Sequence, residues 1–105
     1  MIRFFNCFEV PAGREEEFVQ AWGRVNAYMA DKPGYVSHQL HRSVNPEARF
    51  RFVNFVVWES EERWADAHDA GFRELVSAPE WADFRSIPGL FEVVHTGGDL
   101  EPALS

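Results

Sequence analysis

Hydrophobic residues along this chain recur with two different periods, and the switches between them mark out the elements. Over residues 2–10 the period is two. Ile2, Phe4, Asn6, Phe8 and Val10 share one face of a strand, while Arg3, Phe5, Cys7 and Glu9 share the other. Both faces are partly apolar, which predicts a strand covered on two sides. Pro11-Ala12-Gly13 makes the turn that follows. Over residues 14–31 the period lengthens: Phe18, Trp22, Val25 and Met29 form one stripe of a helix, flanked by Ala21 and Tyr28. Glu15, Glu16 and Glu17 fill its first turn, where the helix dipole favours negative charge.

Lys32-Pro33-Gly34 stops that helix and opens a second strand over residues 35–44. A short turn at Asn45-Pro46-Glu47-Ala48 joins it to a third strand over 49–58 as an antiparallel hairpin. A helical region over 61–76 follows, capped by Ser60, with Trp64, Ala67 or His68, Phe72, and Leu75 or Val76 on its apolar side. Gly71 is where it would split. A short helix restarts at Pro79 with Trp81 and Phe84 turned inward, and Pro88-Gly89 ends it. Residues 90–95 then read as a fourth strand, and 96–105 as a loose tail, leaving one domain over residues 1–95.

The order β-α-β-β-α-β predicts an α+β, ferredoxin-like fold: a four-stranded antiparallel sheet with helices on one face. The other face would carry Phe5, Cys7, Val53, Phe55 and Val57. A bare apolar face calls for a partner, and two copies packing sheet to sheet as a homodimer would supply one.

Composition narrows the partners. At 105 residues there is room for one core, and 15% aromatic content is more than a domain this small needs for packing alone. A net charge of −7 with no basic cluster argues against nucleic acid or an anionic membrane. Cys7 is the single cysteine, so neither an internal disulfide nor a cysteine zinc site arises. No apolar run reaches membrane-spanning length and no signal-peptide pattern opens the chain, so the expectation is a cytoplasmic protein.

The chemistry concentrates in Phe52-Val53-Asn54-Phe55-Val56-Val57-Trp58-Glu59-Ser60. Asn54 and Trp58 are four apart on a strand and therefore share a face with Phe52 and Val56. An amide among large hydrophobes is expensive to bury without a purpose. Asn6 and Phe4 have the matching parity on the first strand, and Trp22 lies on the facing helix stripe. His38 and His41 fall on opposite faces of the second strand and cannot share one site. His68 either faces the cavity as a base or sits on the surface. No His pair has metal-ligand spacing, and no nucleophile elbow is present.

Taken together, these segments resemble the antibiotic biosynthesis monooxygenase family of small dimeric α/β-barrel proteins. The resemblance rests on Val10-Pro11-Ala12-Gly13, Lys32-Pro33-Gly34-Tyr35, Leu40-His41-Arg42-Ser43, Val57-Trp58-Glu59-Ser60-Glu61-Glu62 and Leu90-Phe91-Glu92-Val93-Val94. It implies a quinone-forming oxidation of a planar aromatic by O2 without metal, flavin or other cofactor. On that resemblance Asn54, Trp58 and Asn6 are the catalytic candidates. Trp64, His68, Phe4, Phe52, Leu40 and Trp22 are the substrate-binding ones, together with an arginine, Arg73 or Arg85. Trp64 and Leu40 stand where the quinone-forming branch has tyrosines, so two hydroxyls are missing. The haem-degrading branch shares Asn6. Its tryptophan falls on Ala67, however, and its iron-ligating His near Val76 or Ser77, so haem degradation is not expected. The alternative is a non-catalytic, small-molecule-binding or stress-related member of the same fold.

Overall fold

A computed structural model describes residues 1–99. Strand β1 (Ile2–Glu9) leads through Pro11-Ala12-Gly13 into helix α1 (Glu15–Ala30), and β2 (Tyr35–Arg42) and β3 (Phe52–Trp58) form the hairpin. Two seven-residue helices follow, α2 (Glu61–Ala67) and α3 (Ala70–Val76). A 3-10 turn at Pro79–Trp81 precedes β4 (Arg85–Phe91). The four strands pair antiparallel in the order β2-β3-β1-β4, which is the ferredoxin-like α+β arrangement.

Register gives the sheet its two faces. Phe4 pairs with Val56, Asn6 with Asn54 and Phe8 with Phe52, and this face meets the helices. Phe18, Ala21, Val25 and Met29 of α1 are buried against it. Arg3 pairs with Val57, Phe5 with Phe55 and Cys7 with Val53 on the outer face, where Phe5 and Phe55 stack at 4.9 Å. Glu92, Val93, His95, Thr96 and Gly97, after β4, border a groove on that outer face beside Phe5, Phe55 and Val57.

The helical region breaks at His68-Asp69 rather than at Gly71. Asp69 caps α3 by accepting from the Phe72 amide at 3.0 Å. It also accepts from the Tyr28 hydroxyl at 2.7 Å and pairs with Lys32 at 2.6 Å, which ties the break to α1. Lys32, then the Phe72 amide, then Tyr28 hold the Asp69 carboxyl well below the usual range. Gly71 is needed for closeness instead, because a Cβ there would collide with the Tyr28 hydroxyl. Ser60 caps α2, as its place before Glu61-Glu62 suggests, accepting from the Arg63 amide at 3.1 Å. Gly34, with φ +88°, turns the chain from α1 into β2 in a region that favours glycine.

The fourth strand corrects the sequence reading. It runs Arg85–Phe91, not over residues 90–95, so Pro88-Gly89 lies inside it. β4 is an edge strand bonded only to β1, and an edge is where proline's missing N–H does no harm. Residues 92–99 form no regular element, and 100–105, the rest of the expected tail, lie outside the described residues. Among the described residues no helix is long and apolar enough to cross a membrane.

Candidate active site

Asn6 and Asn54 face one another across the β1–β3 ladder in the middle of the helix-side surface. The core is divided around them. Phe8, Phe18, Ala21, Phe52 and Phe84 pack as one cluster, and Phe4, Val25, Met29, Val56, Trp58 and Ala67 as another. Beside the second cluster a cavity of about 340 Å³ remains, at the small end of the range for ligand sites. The strands contribute Phe4, Asn6, Phe8, Tyr35, Asn54, Val56, Trp58, Ser86 and Pro88 to its wall. The helical side contributes Trp22, Val25, Asn26, Met29, Trp64, His68, Phe72, Val76 and Trp81.

Among the described residues no Asp, Glu, Lys or Arg lines this space. Four polar atoms of its lining residues are instead unpaired. Asn6 Oδ1, Asn54 Oδ1, Trp58 Nε1 and Trp64 Nε1 are buried without a hydrogen-bond partner among the described residues. Asn54 is only 9% exposed. Each such atom costs about 1–3 kcal/mol of desolvation that nothing in the fold returns. Three of these atoms belong to strand residues and one to the helical side, all of them residues that border the cavity.

The ring walls are close. Trp64 lies 5.7 Å from Phe4 and 4.6 Å from His68, and His68 lies 4.6 Å from Phe72, centroid to centroid. His68 Nδ1–H donates to the Trp64 carbonyl at 2.7 Å. Burial pushes the His68 imidazole below its ordinary pKa, a shift opposed by that bond and by Asp69. At the far side Tyr35 meets Trp58 edge-on at 5.7 Å, and its hydroxyl is bonded to His38 Nδ1. Burial raises the Tyr35 pKa, so the phenol stays protonated at neutral pH.

Asn6, Asn54, Trp58, Trp64, His68, Phe4 and Trp22 are thus brought together on one cavity. Four other sequence candidates are not. Leu40, although paired with Asn54, and Phe52, paired with Phe8, pack with the Phe8–Phe18 cluster instead. Arg73 donates to the His68 carbonyl at 3.0 Å on the outer side of α3, and Arg85 is exposed at the start of β4. The cavity has no arginine, because the short α3 turns residue 73 outward.

Sequence reasoning missed Tyr35, Asn26, Trp81, Ser86 and Pro88. Tyr35 enters through a β-bulge between it and Ser37, which places Tyr35 and His38 on the same side although they are an odd number apart. It supplies from the start of β2 a phenol that Leu40 does not. Ser86 and Pro88 were hidden by the late placement of β4. The proline in that segment was the available signal, since an edge strand accommodates it. His38 lies against Trp22 and Asn26, whereas His41 Nδ1 approaches the Val53 carbonyl on the outer side. Among the described residues no three His, Cys, Asp or Glu are grouped to hold a metal ion.

The family model for antibiotic biosynthesis monooxygenase matches residues 1–85. The chain belongs to this family. No curated protein matches the sequence. Among solved structures, a candidate monooxygenase from Shewanella loihica is 29% identical with a TM-score of 0.80, covering 90% of this chain and 95% of that one. SnoaB from Streptomyces nogalater, a cofactor-independent oxygenase, is 30% identical with a TM-score of 0.77, covering 90% and 94%. MhuD, in a mutant form with two manganese protoporphyrin IX molecules bound per active site, is 25% identical with a TM-score of 0.71, covering 94% and 100%. Membership in the antibiotic biosynthesis monooxygenase family gives the chain a monooxygenase-type function.

Proposed function

We propose that this protein oxidises a planar, hydroxylated aromatic to a quinone with O2, without metal or flavin, and that it works as a homodimer. One observation carries the reading: the in-register Asn6–Asn54 pair, whose side-chain amides carry N–H donors, on an uncharged cavity bordered by Trp58 and Trp64. The similarity to SnoaB, a cofactor-independent oxygenase, supports it. Reaction of O2 with a closed-shell molecule is spin-forbidden, but the anion of an electron-rich phenol or anthrone can give O2 one electron. The radical and superoxide combine to a peroxide, which loses water. One oxygen atom enters the ring as the new carbonyl, and the other leaves as water with the two hydrogens lost from the substrate. The protein then has to exclude water, hold the ring and stabilise charge on oxygen. Trp58 and Trp64 hold the ring, and the Asn6 and Asn54 amides donate to the developing oxyanion.

The haem-degrading reading fits this wall poorly. Ala67 is a buried core residue where that branch would place a tryptophan, and Val76 lines the cavity where its ligating His would fall. The outer face around the Phe5–Phe55 stack is the surface for the dimer, and light scattering should give twice the chain mass.

Oxygen uptake with a panel of anthrones and naphthols tests the activity. Asn54→Ala should lower kcat by on the order of a hundredfold, about 3 kcal/mol, with little change in ligand binding, because the amide acts on charge that develops in the transition state. Full kcat in Asn54→Ala on a good substrate makes the amide structural and the mechanism wrong.

A further inference from the structure

His68 has an arrangement the amide pair does not explain. It ends α2 at the break before Asp69, and its ring is clamped between Trp64 and Phe72 on the cavity wall. The 2.7 Å bond from Nδ1–H to the Trp64 carbonyl fixes the neutral tautomer. Nε2 therefore carries the lone pair and makes no hydrogen bond among the described residues. The other polar groups on the wall, the asparagines, tryptophans, Tyr35 and Ser86, include no base that works near neutral pH. Yet an oxidation beginning with an aromatic anion must remove a proton inside a space without cations to attract a preformed anion.

We propose that His68 is the general base of this site. Its Nε2 takes the acidic proton of a substrate that enters neutral, the ring hydroxyl of a naphthol or the methylene C–H of an anthrone. The proposal rests on the function proposed above and deepens it, since it restricts the substrate to neutral, weakly acidic ring systems and disfavours aryl carboxylates. The step balances: the O–H or C–H electron pair stays on the ring as the delocalised anion, and the proton moves to Nε2 as imidazolium. Trp64 and Phe72 flank that cation with ring faces and edges, and the Trp64 carbonyl keeps accepting from Nδ1–H. The charged groups nearest the ring lie outside the cavity: Asp69 next in the chain, Lys32 of α1 paired with it, and Arg73 of α3 on the His68 carbonyl. Desolvation holds the imidazole neutral at pH 7, as a base must be.

The test separates the proton from the oxygen. Under argon in D2O, wild-type protein should exchange the methylene hydrogens of anthrone for deuterium, read by NMR. His68→Gln should exchange about a hundredfold more slowly, with the dissociation constant for 2-naphthol within threefold. His68→Asn, which retains an N–H near the Trp64 carbonyl, guards against a folding defect and should behave the same. Binding of 2-naphthoate should be at least tenfold weaker than that of 2-naphthol. Exchange at the wild-type rate in both variants overturns the proposal, and so does absence of exchange by wild-type protein. Exchange without oxygen uptake in air would leave His68 as the base and refute the oxidation instead.

Discussion

Two stretches of the layer between sheet and helices are built from the same strands and filled in opposite ways. Around Phe8 and Phe52 the space is closed by rings: Phe18 lies 4.8 Å from each and 5.3 Å from Phe84, and Arg14 covers Phe84 at 5.0 Å. Two residues further along each strand, Asn6 and Asn54 begin a space that the surrounding rings border without filling. Strand pairing and face are common to both stretches. What differs is that Phe8 and Phe52 give way to amides, and that α1, which closes the other end with Phe18, is joined over the hollow by two short helices. The difference teaches that the hollow is a cost the closed end has to carry, through unpaired polar atoms and lost ring contacts.

The comparison breaks most visibly at Phe18, which is fully buried. Phe18→Ala should cost about 3–5 kcal/mol in urea denaturation while the rate per folded molecule holds. A comparable loss of binding would mean that the two ends are one unit. Trp64→Ala, at the hollow end, should instead weaken 2-naphthol binding roughly tenfold, about 1.4 kcal/mol by the usual conversion, with a smaller shift in stability than Phe18→Ala. Fluorescence titration and thermal melts separate the two effects. Asn54→Leu makes the hollow end chemically like the closed one. It should abolish turnover yet raise stability by about 1 kcal/mol, because it removes a buried amide oxygen with no partner. A drop in its melting temperature would show that the amide is satisfied in the folded protein.

The smallest effect is on pH. Folding lowers the His68 pKa from its ordinary 6.5. Above pH 6.5 the group is neutral folded and unfolded and adds no slope. As pH falls through 6.5 the unfolded chain binds a proton that the folded chain still refuses, so stability declines until the lower folded pKa is passed. Asp69 acts in the same direction further down, its stabilisation being present above 3.8 and lost as pH falls towards its depressed folded value. Urea midpoints at pH 7.5 and 5.5 should therefore fall less in His68→Gln than in wild type.

Much of this was legible in the sequence because period two and period 3.6 are read residue by residue. The parities of Phe4, Asn6, Phe8, Asn54 and Trp58, and the α1 stripe from Phe18 to Met29, place the amide pair opposite a helix without any structure. Three things were not legible. The bulge after Tyr35 depends on how β2 meets β3, and it moves a phenol into the cavity. The start of β4 was hidden because Pro88-Gly89 reads as a breaker unless the strand is known to be an edge. The inward limit of the cavity was hidden as well. Parity assigns Leu40 and Phe52 to the right face, but position along that face depends on which ring of α1 they meet.

The in-register amide pair also bears on how this chain tolerates change. Both faces of β1 are partly apolar, so shifting it one residue against β3 would exchange Phe4 and Phe8 for Phe5 and Cys7 and still present apolar side chains to the helices. The same shift would send Asn6 to the outer face and leave Asn54 opposite a hydrophobe. An insertion or deletion in β1 could thus yield a protein that expresses, melts cooperatively and has lost its site. For this chain, solubility and a sharp unfolding transition are poor proxies for activity, and variants have to be screened by what the amides touch.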